Sequence, residues 1–138
     1  MAGFSSIRRP SRPDAGSAGL EIAILGPALL LLVFTVVQAG LWFYARSLAL
    51  AAAQEGVAAA RGYQASADAG VARARSFLDR SAGDSLLETT VSGAGSTATT
   101  VRIEVRGRAL SVLPGVSGPL VRQAAAGPVE RFTVDGGP

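Results

Sequence analysis

The sequence contains no cysteine and no histidine among its 138 residues. The absence of cysteine excludes a disulfide framework, a thiol nucleophile and a thiolate metal site. The absence of histidine removes the imidazole base of a Ser-His-Asp triad. Lysine and asparagine are absent as well, so all 13 basic residues are arginine. We therefore predict no enzyme activity, no metal site and no cofactor.

The remaining polar residues offer little catalytic chemistry. Glu104 and Glu130 lie on predicted strands, where a two-carboxylate hydrolase would need them together, but the alternation of apolar and polar residues makes both face solvent. The glycine-rich stretch "GAGSTA", residues 93–98, follows no buried strand and precedes no helix. We interpret it as a turn and not as a nucleotide-binding loop.

One stretch lacks charge altogether, the 24 residues from Ile22 to Ala45. As a helix it would extend about 36 Å, enough to cross a hydrocarbon core of about 30 Å. Arginines at positions 8, 9 and 12 precede it, and a positive flank stays on the cytoplasmic side. We therefore predict a single-pass protein with its N-terminus cytoplasmic and its C-terminus extracytoplasmic. Nucleic acid is not a predicted partner, because the basic segment is short and adjoins the membrane.

The segment before this run is polar and contains Pro10 and Pro13, which is typical of a flexible leader. An ordinary secretory signal has an apolar core of about 7–15 residues followed by a small-residue cleavage site. Here the apolar run is longer and continues into a helical pattern, which favours a permanent anchor. The rival is a secreted binding module released by signal peptidase.

The chain from Arg46 to Arg80 is rich in helix formers and contains no proline. If it continued the membrane helix, residues 20–80 would form a rod of about 90 Å, with breaks allowed at its glycines, Gly56, Gly62 and Gly70. Small residues at spacings of three and four share one face of this helix: Ala45, Ala49, Ala52, Gly56 and Ala60. Such a face lets helix backbones pack closely, although alanine is also simply common in this chain.

A change of period indicates a sheet after a helix end near Gly83. Residues 101–106 alternate apolar and charged side chains, which predicts a half-buried strand, with residues 86–91 as its hairpin partner. A loop follows over 113–119. We expect an α+β fold: a long N-terminal transmembrane helix extending out of the membrane, then a small antiparallel sheet.

The last part of the sheet is ambiguous. Residues 120–126, "LVRQAAA", fit either a helix or a strand, whereas residues 129–134, "VERFTV", predict a final strand. The sheet would then have three or four strands and would need a helix or a partner against one face.

Glu21 is a single acid at the rim of the apolar run. One interpretation is an interfacial acid at a helix start, where the helix dipole favours negative charge. In the other, the chain is cut after Gly16. Ser17 then becomes the N-terminus, and its ammonium lies about one helical turn from Glu21. That ammonium can pair with its own or a neighbouring carboxylate, and the paired charges can set the stagger between subunits.

The spacing from Gly16 to Glu21 resembles the type IV prepilin pattern. More specifically, the chain resembles the TadE-like family of pseudopilins from tight-adherence pilus systems. The matching stretches are "GSAGLEIAILGPALLLLVFTVVQAGLWFYAR", residues 16–46, and "AAAQEGVAAARG", residues 51–62, and residues 124–132 are similar to the family's C-terminal ending. Residues at family motif positions are Pro27, Phe43, Tyr44, Arg46, Glu55, Gly56 and Arg61. Ser17 departs from the family, which has a hydrophobic residue after the cleaved glycine.

The resemblance implies that a prepilin peptidase removes residues 1–16, leaving a transmembrane and assembly helix over 17–45, a helical extension over 46–82 and an outer sheet over 83–138. The implied function is non-enzymatic: a minor pilin or pseudopilin in pilus assembly, located in the bacterial cytoplasmic membrane. Implied partners are pilin and pseudopilin subunits, the peptidase, the inner-membrane assembly machinery and the lipid bilayer. The alternative is an unprocessed single-pass accessory protein whose outer sheet binds a partner.

Two further features lie in the apolar run. Pro27 leaves the Ala23 carbonyl without its helical donor and favours a kink, and Gly26 makes bending easier. The kink would serve extraction from lipid into a filament, or it is a proline tolerated in a membrane helix. The aromatic residues from Trp42 to Tyr44 are typical of an aromatic belt at the membrane surface.

Overall fold

The computed structural model describes residues 15–62 and 64–131, and the side chains of residues 19–62 and 64–131. It contains two helices, a short 3₁₀ turn at Gly83–Ser85 and three strands, which confirms the predicted α+β class. In chain order these are α1 (Ala15–Ala60), α2 (Ala67–Ser81), β1 (Leu86–Ser92), β2 (Thr100–Ala109) and β3 (Leu120–Pro128).

The helical region is broken once, between α1 and α2, so the rod to residue 80 is not formed. Of the three glycines at which the sequence allowed a break, only Gly62 lies in the connection; Gly56 and Gly70 lie inside helices. Gln64 adopts a left-handed φ of 62°, which redirects the chain. The Ser66 hydroxyl then caps α2 by accepting a hydrogen bond from the Ala69 amide at 3.2 Å.

The sheet is antiparallel throughout, in the order β1-β2-β3. β3 resolves the ambiguity of "LVRQAAA": it is a strand that pairs with β2 from Thr100 to Arg108. The expected final strand is wrong for Val129–Arg131, which are not in a strand, and the rest of it lies outside the described residues. β3 ends at Pro128, which has no amide to donate to a ladder.

The core lies between the inner face of the sheet and the two helices. Ile103 and Val105 of β2 are its largest fully buried side chains, and Leu78 and Ala74 cover them from α2. On α1, the core begins at Ala45. Because the α1 contribution is mainly alanine, the helix backbone lies close to the sheet.

Contacts within the chain divide it into two compact units, one up to Thr35 and the other from Val36 onward. The second unit contains the described core, with the sheet, α2 and the C-terminal part of α1.

Candidate functional site

In the first unit, α1 exposes its large apolar side chains from Leu20 to Val33. From Leu20 to Val33 these side chains are 51–71% exposed. Within the described residues, α1 is the one helix long and apolar enough to cross a membrane. Apolar surface of this extent requires lipid or other helices to cover it.

The residues predicted for processing and bending lie in this same part of α1. Glu21 is exposed, and Gly16 and Ser17 fall within the helix at positions whose side chains are not described. α1 continues through Pro27 without interruption. A side chain added at Gly26 would contact nothing within 4 Å, so this region has free space around it.

The predicted small-residue face of α1 has a different surrounding. Its members are all buried in the second unit, at the base of the chain's own sheet and beside α2: Ala45, Ala49, Ala52, Gly56 and Ala60. The approach is closest at Gly56 and Gly70. A Cβ added at Gly56 would lie 2.8 Å from the Gly70 carbonyl oxygen, and one added at Gly70 would lie 2.6 Å from the Gly56 carbonyl oxygen. Ile103 packs against both glycines.

The charged motif residues at the end of α1 bind two different elements. Glu55 accepts hydrogen bonds from Arg73 of α2, at 3.0 Å from Nη2 and 3.1 Å from Nε. Arg61 donates from Nε to the Pro128 carbonyl at 3.0 Å, and its own carbonyl accepts from the Glu130 amide at 3.2 Å. The six-residue spacing puts Glu55 and Arg61 on different faces, so each holds its own neighbour against α1.

Of the three aromatic residues of α1 from Trp42 to Tyr44, Trp42 makes contacts within the fold. Trp42 Nε1 donates to the Leu120 carbonyl at 3.2 Å, and the Arg46 guanidinium lies 5.5 Å from the centre of the Trp42 ring. Phe43 and Tyr44 remain 61% and 52% exposed. Phe43 also meets Trp42 edge to face, with 5.1 Å between ring centres.

Sequence reasoning missed Gln38. Its Nε2 donates to the Leu110 carbonyl at 3.0 Å, and its Oε1 accepts from the Val112 amide at 3.0 Å. The one available signal was its position, since it is an amide within an otherwise apolar run. Its partners lie more than 70 residues away, so no local pattern could identify them.

Comparison with known families bears on this helix. A family model described as TadE-like protein matches residues 16–58 of the chain. Over this segment the chain is similar to TadE-like proteins. The match confirms the resemblance for the apolar run, its aromatic group and Glu55-Gly56. The similarity at residues 124–132 lies outside it and stays a prediction.

A search of curated proteins and a search of solved structures each found no match. The segment that matches the family model covers nearly all of α1. It runs from the exposed apolar part of the helix to the buried crossing with α2. Arg61, which directly follows α1, donates a hydrogen bond to the Pro128 carbonyl at the end of β3.

Outside the TadE-like segment, Glu104 differs from expectation. It lies on the outer face of the sheet, as alternation predicts, but it is only 7% exposed instead of facing solvent. Arg122 donates from Nη2 to Glu104 Oε2 at 2.9 Å, and Arg106 donates from Nε to Glu104 Oε1. The Nη2 atom of Arg102 lies 3.8 Å from Glu104 Oε2. The arginine side chains have closed over the carboxylate.

These cations set the ionisation of Glu104. Hydrogen bonds from Arg122 and Arg106 lower the pKa of Glu104 below its ordinary value of 4.5, against the opposing effect of burial. A catalytic general acid requires a raised pKa, so this cluster acts as an ion-pair network that stabilises the outer face.

Proposed function

We propose that the chain is a pseudopilin or minor pilin of a tight-adherence type IV pilus. It is held in the bacterial cytoplasmic membrane by α1 and takes part in pilus assembly through that helix. The observation that carries the proposal is the apolar surface from Leu20 to Val33, exposed along its whole length inside a TadE-like segment. Lipid covers this surface before assembly, and helices of pilin and pseudopilin subunits cover it afterwards.

The assembly step depends on a pair of charges. A prepilin peptidase cuts after Gly16 on the cytoplasmic side and creates an ammonium at Ser17. Ser17 and Glu21 are four residues apart, so they share a helix face. A charged side chain at the centre of a bilayer costs about 2.5–3.5 kcal/mol on insertion scales, and Glu21, at the rim of the apolar run, incurs part of that cost. Pairing with its own or a neighbouring ammonium offsets that cost and sets the height of one subunit against the next.

Contacts between subunits use the exposed apolar part of the helix. The small-residue face from Ala45 to Ala60 is already covered by the chain's own sheet and α2, so it fixes the outer domain to the helix. Pro27 and Gly26 lie within the exposed part, where a local bend eases transfer from the membrane to the inner-membrane assembly machinery.

Processing is tested by intact-mass measurement of protein extracted from membranes of cells with and without the candidate peptidase. We expect a chain beginning at Ser17 only when the peptidase is present. Gly16→Leu should block the cut, because a bulky side chain replaces the residue at the cleaved bond. Gly19→Leu is the matched control and should leave cleavage unchanged.

The rival functions give different masses. An intact Met1 in the presence of the peptidase supports the unprocessed accessory protein, whose outer sheet binds a partner. A chain in the medium that lacks residues 22–45 supports the secreted module. Either result contradicts the proposed function.

Assembly is tested by Glu21→Gln, which removes the charge and keeps the size of the side chain. We expect the variant to enter the membrane and to be cut, yet to fail to join pilus subunits in crosslinking and pull-down assays. Glu21→Asp retains the charge and is expected to retain part of the incorporation. Normal incorporation of the Gln variant would exclude the charge-pairing mechanism.

A further inference from the structure

The loop between β2 and β3 is fastened to α1 near the end of the uncharged run. Gln38 binds both the Leu110 carbonyl and the Val112 amide, and Trp42 binds the Leu120 carbonyl. The base of the loop is equally fixed. The Ala109 amide donates to the Pro119 carbonyl at 3.0 Å, and a Cβ added at Gly118 would overlap the Ala109 carbonyl oxygen. The loop is therefore held beside this part of the helix.

The tip of the loop turns its apolar side chains outward. The Val116 amide donates to the Leu113 carbonyl at 3.3 Å across Pro114-Gly115, and Gly115 has a φ of +75°. Proline followed by a glycine with positive φ is typical of a type II turn. Leu113 and Val116, at the corners of this turn, are 43% and 55% exposed.

The exposed apolar surface extends beyond the turn. Leu110 and Leu120, at the two ends of the loop, are 37% and 70% exposed, and Val37 of α1 is 44% exposed. No charged residue occurs from Leu110 to Leu120. This uncharged surface lies beside the part of α1 that contains Gln38 and Trp42.

The depth of Gln38 limits where the bilayer can end. If hydrocarbon reached Ala45, the loop backbone beside Gln38 would lie about 10 Å below the surface, at about 1.5 Å of helix per residue. Irregular backbone exposed to lipid does not occur at that depth, because its polar groups would lack partners. Residues 19–37 by themselves extend about 28 Å as a helix, which matches a hydrocarbon core of about 30 Å.

We infer that the loop Leu110–Leu120 rests on the outer leaflet of the membrane and is a second lipid contact of the chain. Leu113 and Val116 enter the headgroup region, and the hydrocarbon boundary lies near Gln38, not at Ala45. The aromatic residues from Trp42 to Tyr44 then occupy the interface, which their amphipathic rings favour. The inference rests on the membrane anchor of the proposed function and is independent of cleavage and pilus assembly.

Lipid is the occupant that the surface fits best. The patch is uncharged and includes the exposed Val37 of α1, within the uncharged run itself. Arg108 and Arg122, just outside it on β2 and β3, are paired with Glu88 and Glu104.

The depth of the loop can be measured with single cysteines, since the chain contains none of its own. Val116→Cys carries an environment-sensitive fluorophore in the full chain, reconstituted in phosphatidylethanolamine–phosphatidylglycerol nanodiscs. We expect blue-shifted emission and quenching by lipids with a nitroxide near the headgroup. Ala98→Cys is the matched control, because it is exposed in the turn between β1 and β2. Its label should emit as in water and escape quenching.

A third label at Leu30→Cys separates the two proposals. If Leu30 is quenched by lipid while Val116 is as water-exposed as Ala98, the loop inference is overturned and the anchor stands. If Leu30 is itself in water, the anchor fails, and the proposed function fails with it. If Val116 is protected only in nanodiscs that hold two chains, the surface is an interface between copies, which also overturns the inference.

Discussion

Glycine stands on both sides of the crossing between α1 and α2 because the two backbones meet there. Gly56 and Gly70 each present a carbonyl oxygen to the other, and the Ile103 side chain fills the remaining space above them. Glycine in a helix costs about 1 kcal/mol relative to alanine. Glycine is present at both positions in spite of this cost in helix stability, because a Cβ at either one would push the helices apart.

Gly70→Ala should therefore destabilise the fold, although alanine favours a helix. The new Cβ would lie 2.6 Å from the Gly56 carbonyl oxygen and 2.8 Å from Ala60 Cβ, and overpacking of this kind costs about 1–3 kcal/mol. Denaturant unfolding of the full chain in detergent measures the effect. Gly40→Ala is the control, because its Cβ meets nothing within 4 Å. Equal stability of the two variants would show that the crossing is not tight.

A second residue-scale prediction concerns Glu104. Because its folded pKa is lowered from 4.5, the carboxylate stabilises the fold above its unfolded pKa, and this contribution is lost as pH falls through the folded pKa. Glu104→Gln should lower stability at pH 7 by about 1–3 kcal/mol and flatten the decline below pH 4.5. Thermal unfolding at a series of pH values measures both effects.

Glu88→Gln is the matched control for Glu104→Gln. Glu88 pairs with Arg108 at 3.2 Å, but its side chain is 75% exposed, and exposed pairs contribute about 0–1 kcal/mol. An unchanged pH profile in Glu104→Gln would contradict the role assigned to the arginine cluster.

At the scale of elements, α1 has two environments along one helix. From Leu20 to Val33 its large apolar side chains are exposed, whereas from Ala45 its small side chains are buried under the sheet and α2. α2 is the element that completes this cover. Ser66 starts it, and the Glu55–Arg73 pair ties it to α1, with side chains 42% and 50% exposed. An ion pair so exposed stabilises by at most about 1 kcal/mol, so the buried crossing supplies more.

Removal of the cap should loosen α2 without repacking the core. Ser66→Ala leaves the Ala69 amide without its side-chain acceptor, which typically costs about 1 kcal/mol. Ser66→Asp keeps an acceptor and should retain wild-type stability. Amide hydrogen exchange of residues 67–70 in the full chain distinguishes the two, with faster exchange expected only in the alanine variant.

The elements differ in how far the sequence determines them. The uncharged run predicts α1, and the alternation from Val101 to Arg106 predicts β2, because each pattern repeats over its whole length. β3 was ambiguous, because its alanines fit the period of a helix as well as that of a strand. Pairing with β2 decides for the strand. The sequence allowed a helix break at any of three glycines. Gly56 and Gly70 stay helical because they form the close crossing between α1 and α2, so the break falls at the connection that contains Gly62.

The same limit applies to the site. The Glu21 spacing and the Glu55-Gly56 motif are local patterns that can be seen in the sequence, and both lie in the segment that matches the family model; the role of Glu21 stays a prediction. Gln38, Arg73 and the cluster around Glu104 depend on contacts between distant parts of the chain. Alternation correctly put Glu104 on the outer face, but it could not show that three arginines converge on it.

At the scale of the whole molecule, the charge pattern predicts the orientation of the chain in a membrane. Arginines 8, 9 and 12 precede the membrane segment, so we expect the leader inside and the sheet outside. A membrane-impermeant maleimide should label Ala98→Cys in spheroplasts without lysis. In peptidase-lacking cells, Ser5→Cys should react only after lysis, and the reverse pattern would contradict the orientation.

The buried small-residue face also limits how copies of this chain can stand next to one another. Beyond Gln38, one side of α1 is permanently taken by its own sheet and α2. The exposed residues Phe43, Ser47, Gln54 and Ala58 all project from the side that remains. A neighbouring molecule can approach the outer stretch of the helix only from there. A neighbour that packs against this stretch would therefore have the first chain's own sheet on the opposite side of α1.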